Sequence, residues 1–123
     1  MNLAEVARMV HQTDKAYCES IGDYSNKNWE QAEPADKKRM EDIVQFYTDN
    51  PLAMDCSIHN VWIKAMVMDG WVKGDEFNPF TKTHPGIIKF EEIPFEQQVR
   101  ATIIRRVIGT LGSLLEKTSE NLQ

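Results

Sequence analysis

From Leu3 the apolar residues Val6, Ala7, Val10, Tyr17 and Ile21 follow at intervals of three, four and seven, with Glu5, Arg8, Gln12 and Lys15 opposite them. That pattern predicts an amphipathic helix over 2–21 with Asn2 as its N-cap. Gly22-Asp23 supplies the stop, and the polar stretch 24–30 reads as an ordered loop that Trp29 pins to the core. Pro34 fits the first turn of a second helix, a surface element whose narrow apolar stripe is Met40, Ile43, Val44 and Tyr47.

Asp49-Asn50-Pro51 combines a capping residue with proline at a first helical position, so a third helix is expected from there to Asp69. Its apolar residues, Leu52, Cys56, Ile58, Trp62, Ile63, Met66 and Val67, cover more than one face, which predicts the most buried helix of the fold. Gly70 ends it. Residues 71–73 and the weakly alternating 86–90 are expected to pair as a two-stranded ribbon. Pro94 opens a fourth helix with Val99, Ile103, Val107, Leu111 and Leu114 at near-heptad spacing, and Gly109 and Gly112 weaken its later turns unless close packing requires them. The fold class predicted is therefore mainly α: about four helices around one core, with a small two-stranded β-ribbon between helices three and four. One domain over 1–117 and a frayed tail over 118–123 complete the expectation.

Composition narrows the function. The net charge of −5 is uneven: residues 1–61 carry six Lys/Arg against eleven Asp/Glu, and residues 62–123 carry eight against eight. An acidic total argues against nucleic acid as partner, because non-specific duplex binding needs many phosphate contacts from a basic face. No window has the apolar length of a membrane span, and the first ten residues lack both a basic leader and a long apolar run, so no membrane association and no export are expected. Two cysteines, Cys18 and Cys56, without framework spacing suit a reducing cytoplasm.

The candidate chemistry lies between His59 and Pro85. Trp62 and Trp71 come from one helix and its exit, and an indole face there suits a flat ring, although core packing is the competing role for both. Lys73 and Lys82 flank the loop and suit a phosphate, or are simply solvated. His84, held extended by Pro85, either donates to a ligand or locks the loop through the backbone. Tyr17 and Asp23 are placed near the same cavity, with Asp23 alternatively holding its turn. Arg100, nearest the start of the last helix, completes the set. His59 reads as structural, one helical turn after Asp55.

Enzyme readings fail on geometry. His11 and Cys18 share a helical face, yet seven residues separate them by about 10 Å of rise, too far for a nucleophile and its base. Cys56 and His59 make half a metal site at most. No phosphate-loop, dinucleotide or zinc-protease motif is present. No catalytic residue, metal or cofactor is assigned.

Taken in order, His11, Lys15-Ala16-Tyr17-Cys18, Gly22-Asp23, Trp29-Glu30, Pro34, Asn50-Pro51, His59, Trp62, Lys64, Gly70-Trp71, Gly74, Lys82, His84-Pro85, Phe90 and Ile93-Pro94 resemble the RyR domain, the repeat of ryanodine receptors that also occurs as a small bacterial or phage protein. The resemblance runs from about Val6 to Ile108. Departures fall at Asn60, where the family has an acidic residue, at Lys73, often an aromatic position, and at Ala101. The resemblance implies a mostly helical fold with a small ribbon. It further implies a non-enzymatic module that binds a soluble nucleotide-derived ligand, and for a phage protein, sequestration of a defence signal. Because related repeats occur as pairs in the receptors, it also raises the alternative of a protein-interaction domain, such as a homodimer.

Overall fold

The computed structural model describes residues 1–115, so the predicted tail lies outside the described residues. The order of elements is α1 (Leu3–Ser20), α2 (Pro34–Asp49), α3 (Ser57–Met68), β1 (Val72–Lys73), β2 (Thr83–His84) and α4 (Phe95–Leu111), with 3₁₀ turns at Trp29–Gln31, Phe90–Glu92 and Gly112–Leu114. The mainly α class and the small sheet between α3 and α4 are as the sequence predicts. The residues group into two compact units, Met1–Ala53 with the chain from Thr102 onward, and Met54–Ala101.

In the first unit, α1 begins with a reciprocal cap. Asn2 Oδ1 accepts from the Glu5 amide at 2.8 Å, and the Glu5 carboxylate accepts from the Asn2 amide at 3.0 Å, so two donors that a helix start leaves open are satisfied. The three-four spacing then turns Val6, Ala7 and Val10 inward, where they are buried with Cys18, Met40, Val44, Tyr47 and Ile108. Gly22 sits at φ +90, and the amides of Ile21, Gly22 and Asp23 return to the carbonyls of Cys18 and Glu19. A left-handed residue closes a helix in this way, and glycine adopts it without a Cβ clash.

Trp29 ties the following loop to α1, as expected. Its amide donates to Gln12 Oε1 at 2.9 Å and its ring meets His11 edge-on at 5.5 Å. Beside it, the Arg8 guanidinium donates to Glu30 at 2.9 Å and holds that carboxyl below the usual carboxylate range.

Two expectations are corrected in the second unit. The third helix starts at Ser57 rather than near Asn50. The amide and side-chain Nδ2 of Asn50 both donate to the Phe46 carbonyl at 2.9 Å, so Asn50 closes α2 instead of opening α3. Nor is α3 the most buried helix: none of its residues is fully buried, and Met68 is 79% exposed. Its later start leaves Leu52 outside the helix, and apolar positions spread around the axis cannot all face one wall.

The ribbon's partner also differs. Val72 and Lys73 pair in parallel with Thr83 and His84, not with 86–90. A bridge between Asn78 and Thr83, with amide–carbonyl bonds of 3.0 and 3.1 Å in both directions, folds the intervening loop back so that β2 arrives beside β1 running the same way. Residues 86–92 turn instead of extending: the Ile88 amide donates to the Gly86 carbonyl, and a 3₁₀ turn follows. α3 itself ends in a Schellman motif at Gly70 (φ +89), the Trp71 amide reaching the Met66 carbonyl and the Gly70 amide that of Val67.

A Cβ at Gly109 would meet none of the described residues within 4 Å, so no close approach among them explains that glycine. Gly109→Ala is therefore expected to stabilise the protein by about 0.5–1 kcal/mol in urea unfolding; a loss of stability would show that the glycine is needed. At Glu30 the folded pKa is lowered, so its stabilising contribution is present above the unfolded value and is lost as pH falls through the folded one. Glu30→Gln should flatten that part of a stability-against-pH curve and leave the neutral region's slope unchanged.

Candidate functional site

The second unit is organised by rings. His84 of β2 lies edge-on to Trp62 of α3 at 4.9 Å between centroids, and Trp71 and Phe77 stand 6.5 and 5.7 Å from the same imidazole. His59 continues the run, 5.8 Å from Trp62 and 6.1 Å from Phe90. Gly86 permits this packing, because a Cβ there would come within 3.0 Å of His84 Cε1 and 3.3 Å of Trp62 Cη2. Its amide donates to His84 Nδ1 at 2.9 Å, which makes Nδ1 the acceptor and leaves the ring proton on Nε2. Of the two roles weighed for His84, locking the loop through the backbone is the one its bonds display. The spacing from Asp55 pointed His59 to a local bond, but its Nε2 donates instead to the Ile88 carbonyl at 2.7 Å and fastens 88–90 to α3.

Trp71 stacks on Phe77 at 5.8 Å and 17°, and its indole N–H donates to Asp69 Oδ2 at 3.1 Å. Lys82 adopts φ +54 and donates from Nζ to the Asp69 carbonyl at 2.7 Å, with the Asp69 carboxylate 3.7 Å away. A cation on the last carbonyls of a helix offsets the negative end of its dipole. Lys82 thus serves the end of α3.

An open cleft of about 540 Å³ lies beside this run, within the size range of small-molecule sites. Asn60 and Ile63 of α3 form one wall, Lys73 of β1 another, and residues 87–92 the third. Its chemistry is mixed. Ile63, Ile87, Ile88 and Phe90 supply apolar surface, Glu91 and Glu92 carboxylates, and Lys73 and Lys89 ammonium groups that form no ion pair with any described residue. Phe90 belongs to both the cleft and the ring cluster, and Ile88, whose carbonyl His59 holds, joins them a second time.

Of the eight residues predicted for a site, Lys73 lines this cleft. Trp62, Trp71 and His84 are brought together in the ring cluster, and Lys82 stands at the end of α3. Arg100 lies in α4 with its Nη1 3.4 Å from Gln97 Oε1. Tyr17 and Asp23 belong to the first unit, where Asp23 Oδ1 accepts from the amide and hydroxyl of Ser25 at 3.0 and 2.6 Å and holds the turn. Sequence reasoning missed Phe77, Asn60, Ile63, Ile88 and Lys89. One signal was present: Asn60 and Ile63 are three apart and share a helical face. Among the described residues no group of three or more His, Cys, Asp or Glu is placed to hold a metal ion, and no helix is long and apolar enough to cross a membrane.

The chain matches no protein-family model, and no curated protein matches it.

The ring cluster and cleft hang on β1–β2 pairing, and that pairing requires Gly74, where a Cβ would fall 2.5 Å from Thr83 Cβ. Gly74→Ala should lower stability by about 1–3 kcal/mol, the usual cost of overpacking, and diminish the near-ultraviolet tryptophan signal. An unchanged urea midpoint and spectrum would show that the strand contact is dispensable.

Proposed function

We propose that the second unit is a non-enzymatic ligand-binding module whose cleft takes a soluble nucleotide-derived small molecule. One observation carries the reading: two lysines without ion-pair partners among the described residues share a cleft of about 540 Å³ with an apolar floor and two carboxylates. A nucleotide is complementary to that combination. Its phosphate takes charge-assisted hydrogen bonds from Lys73 and Lys89. Its ring lies on Ile63 and the Phe90 ring, where stacking on an aromatic contributes about 1–3 kcal/mol. Ribose hydroxyls donate to the carboxylate of Glu91 or Glu92, as they do to the acidic side chain of dinucleotide sites. The Asn60 amide, with donors and an acceptor, reads a base edge.

In this reading Trp62, Trp71 and His84 hold the cleft wall, and Lys82 holds the end of α3. Binding alone accounts for every lining group, so no reaction is assigned. The RyR-like motifs support the same class of module, a sensor or a sequestering protein of phage type, and Cys18 and Cys56, neither of them in a disulfide, suit a reducing cytoplasm.

A thermal-shift panel of ATP, cyclic mono- and dinucleotides, NAD, ADP-ribose and its cyclic isomers tests the proposal. A ligand at about 100 times its dissociation constant stabilises by roughly 2.7 kcal/mol, several degrees for a domain of this size. A saturable shift with one class is expected, abolished by Lys73→Ala and Lys89→Ala and retained by Lys82→Ala. Silence across the panel at millimolar concentration, or a shift that only Lys82→Ala removes, would contradict it.

A further inference from the structure

The side of α3 away from Ile63 and the cleft is an apolar seam. Ile58, Val61, Ala65 and Met68 follow at intervals of three, four and three, the a and d spacing of a heptad. At 100° per residue they fall within about a quarter of the helix circumference. Val61 is 53% and Met68 79% exposed, Ala65 is exposed, and Ile58 is half-buried. A surface helix ordinarily turns charged residues to the outside. From Ser57 to Asp69 the only Lys, Arg, Asp or Glu residues are Lys64 and Asp69.

Those two charges flank the seam. In the heptad register Lys64 holds position g and Asp69 the following e, five residues on, which is the offset at which g of one helix meets e of its neighbour in a parallel pair. Lys64 forms no ion pair with any described residue. Asp69 Oδ2 accepts from the Trp71 indole at 3.1 Å and stands 3.7 Å from Lys82 Nζ, yet the side chain is 70% exposed and Oδ1 accepts from no described residue. A carboxylate has acceptor sites on both oxygens, so a second cation fits there. We propose that the occupant of this face is α3 of a second copy of the chain, packed parallel about a two-fold axis along the seam, with Lys64 of each protomer bonded to Asp69 of the other. The charges assign the occupant. One cation and one anion at this offset make the helix its own complement, and a two-fold axis uses the pair twice. Turning one helix over would set like flanks side by side and leave both charges uncompensated. Ala65, at the middle a position, lets the two backbones approach. The association needs neither the cleft nor a nucleotide, so it stands or falls apart from the ligand reading.

Sedimentation equilibrium of the full chain over a wide concentration range, without nucleotide, is the experiment. A reversible dimer is expected. Met68→Ser should weaken it about tenfold or more, because each pair loses two seam anchors. Its thermal melt in dilute solution should match that of the wild type, since the side chain is so exposed. Lys64→Glu and Asp69→Lys should each weaken self-association, because each sets like charges together twice. Mixed, these two should form a heterodimer about as strong as the wild-type pair, since opposite charges then face each other on both flanks. Asp69 also serves Trp71, so should Asp69→Lys not fold, Met68→Ser and Lys64→Glu decide. A chain monomeric throughout, a dimer indifferent to Met68→Ser or Lys64→Glu, or two folded charge variants that fail to complement would overturn the proposal.

Discussion

Thr83 lies so close to the backbone of Gly74 that no side chain fits between them, and the second unit follows from that contact. It allows two residues of β1 and two of β2 to pair in parallel although no helix crosses between them. The pairing delivers His84 to the edge of Trp62, where the Gly86 amide fixes the imidazole's orientation. The chain must then turn rather than extend, and the turn places residues 87–92 opposite α3. The cleft is the space left between them.

The two units are held by different physics. In the first, aliphatic side chains from α1, α2 and the end of α4 are fully removed from water, and this apolar transfer is the dominant stabilising contribution. In the second, half-exposed rings and hydrogen bonds to backbone carbonyls do the holding, with His59, His84 and Lys82 each satisfying a specific main-chain group. A structure of that kind keeps polar and aromatic groups near solvent, where they are available to a ligand or a partner.

How much was legible depended on how local the cause was. α1 was readable because its spacing and its capping box lie within a few residues of one another. The start of α3 was misread because Asn50-Pro51 is as good a helix opening as any; only the Phe46 carbonyl, already accepting from Asn50, decides that it closes α2. The strand pairing depends on Asn78 reaching Thr83 across a loop, which no alternation of hydrophobicity records. For the site, Trp62 and Trp71 were recognisable from their places on one helix and its exit, His84 from the proline that follows it, and Lys73 from its place at the loop's edge. Residues 86–90 read as a strand, so the part that residues 87–92 play in a cleft wall was hidden. Lys82 looked like a free cation because the carbonyl it serves becomes available only once Gly70 ends the helix.

The central claim is that the cleft beside α3 receives a nucleotide-like ligand, and a ¹⁵N-resolved NMR titration with ADP-ribose, cyclic AMP and ATP addresses it most directly. The account predicts saturable amide shifts with at least one of them, concentrated at Asn60, Ile63, Lys73 and residues 87–92. Shifts centred on Trp71, Phe77 and Lys82 instead, or no saturable shift with any of the three, would contradict it.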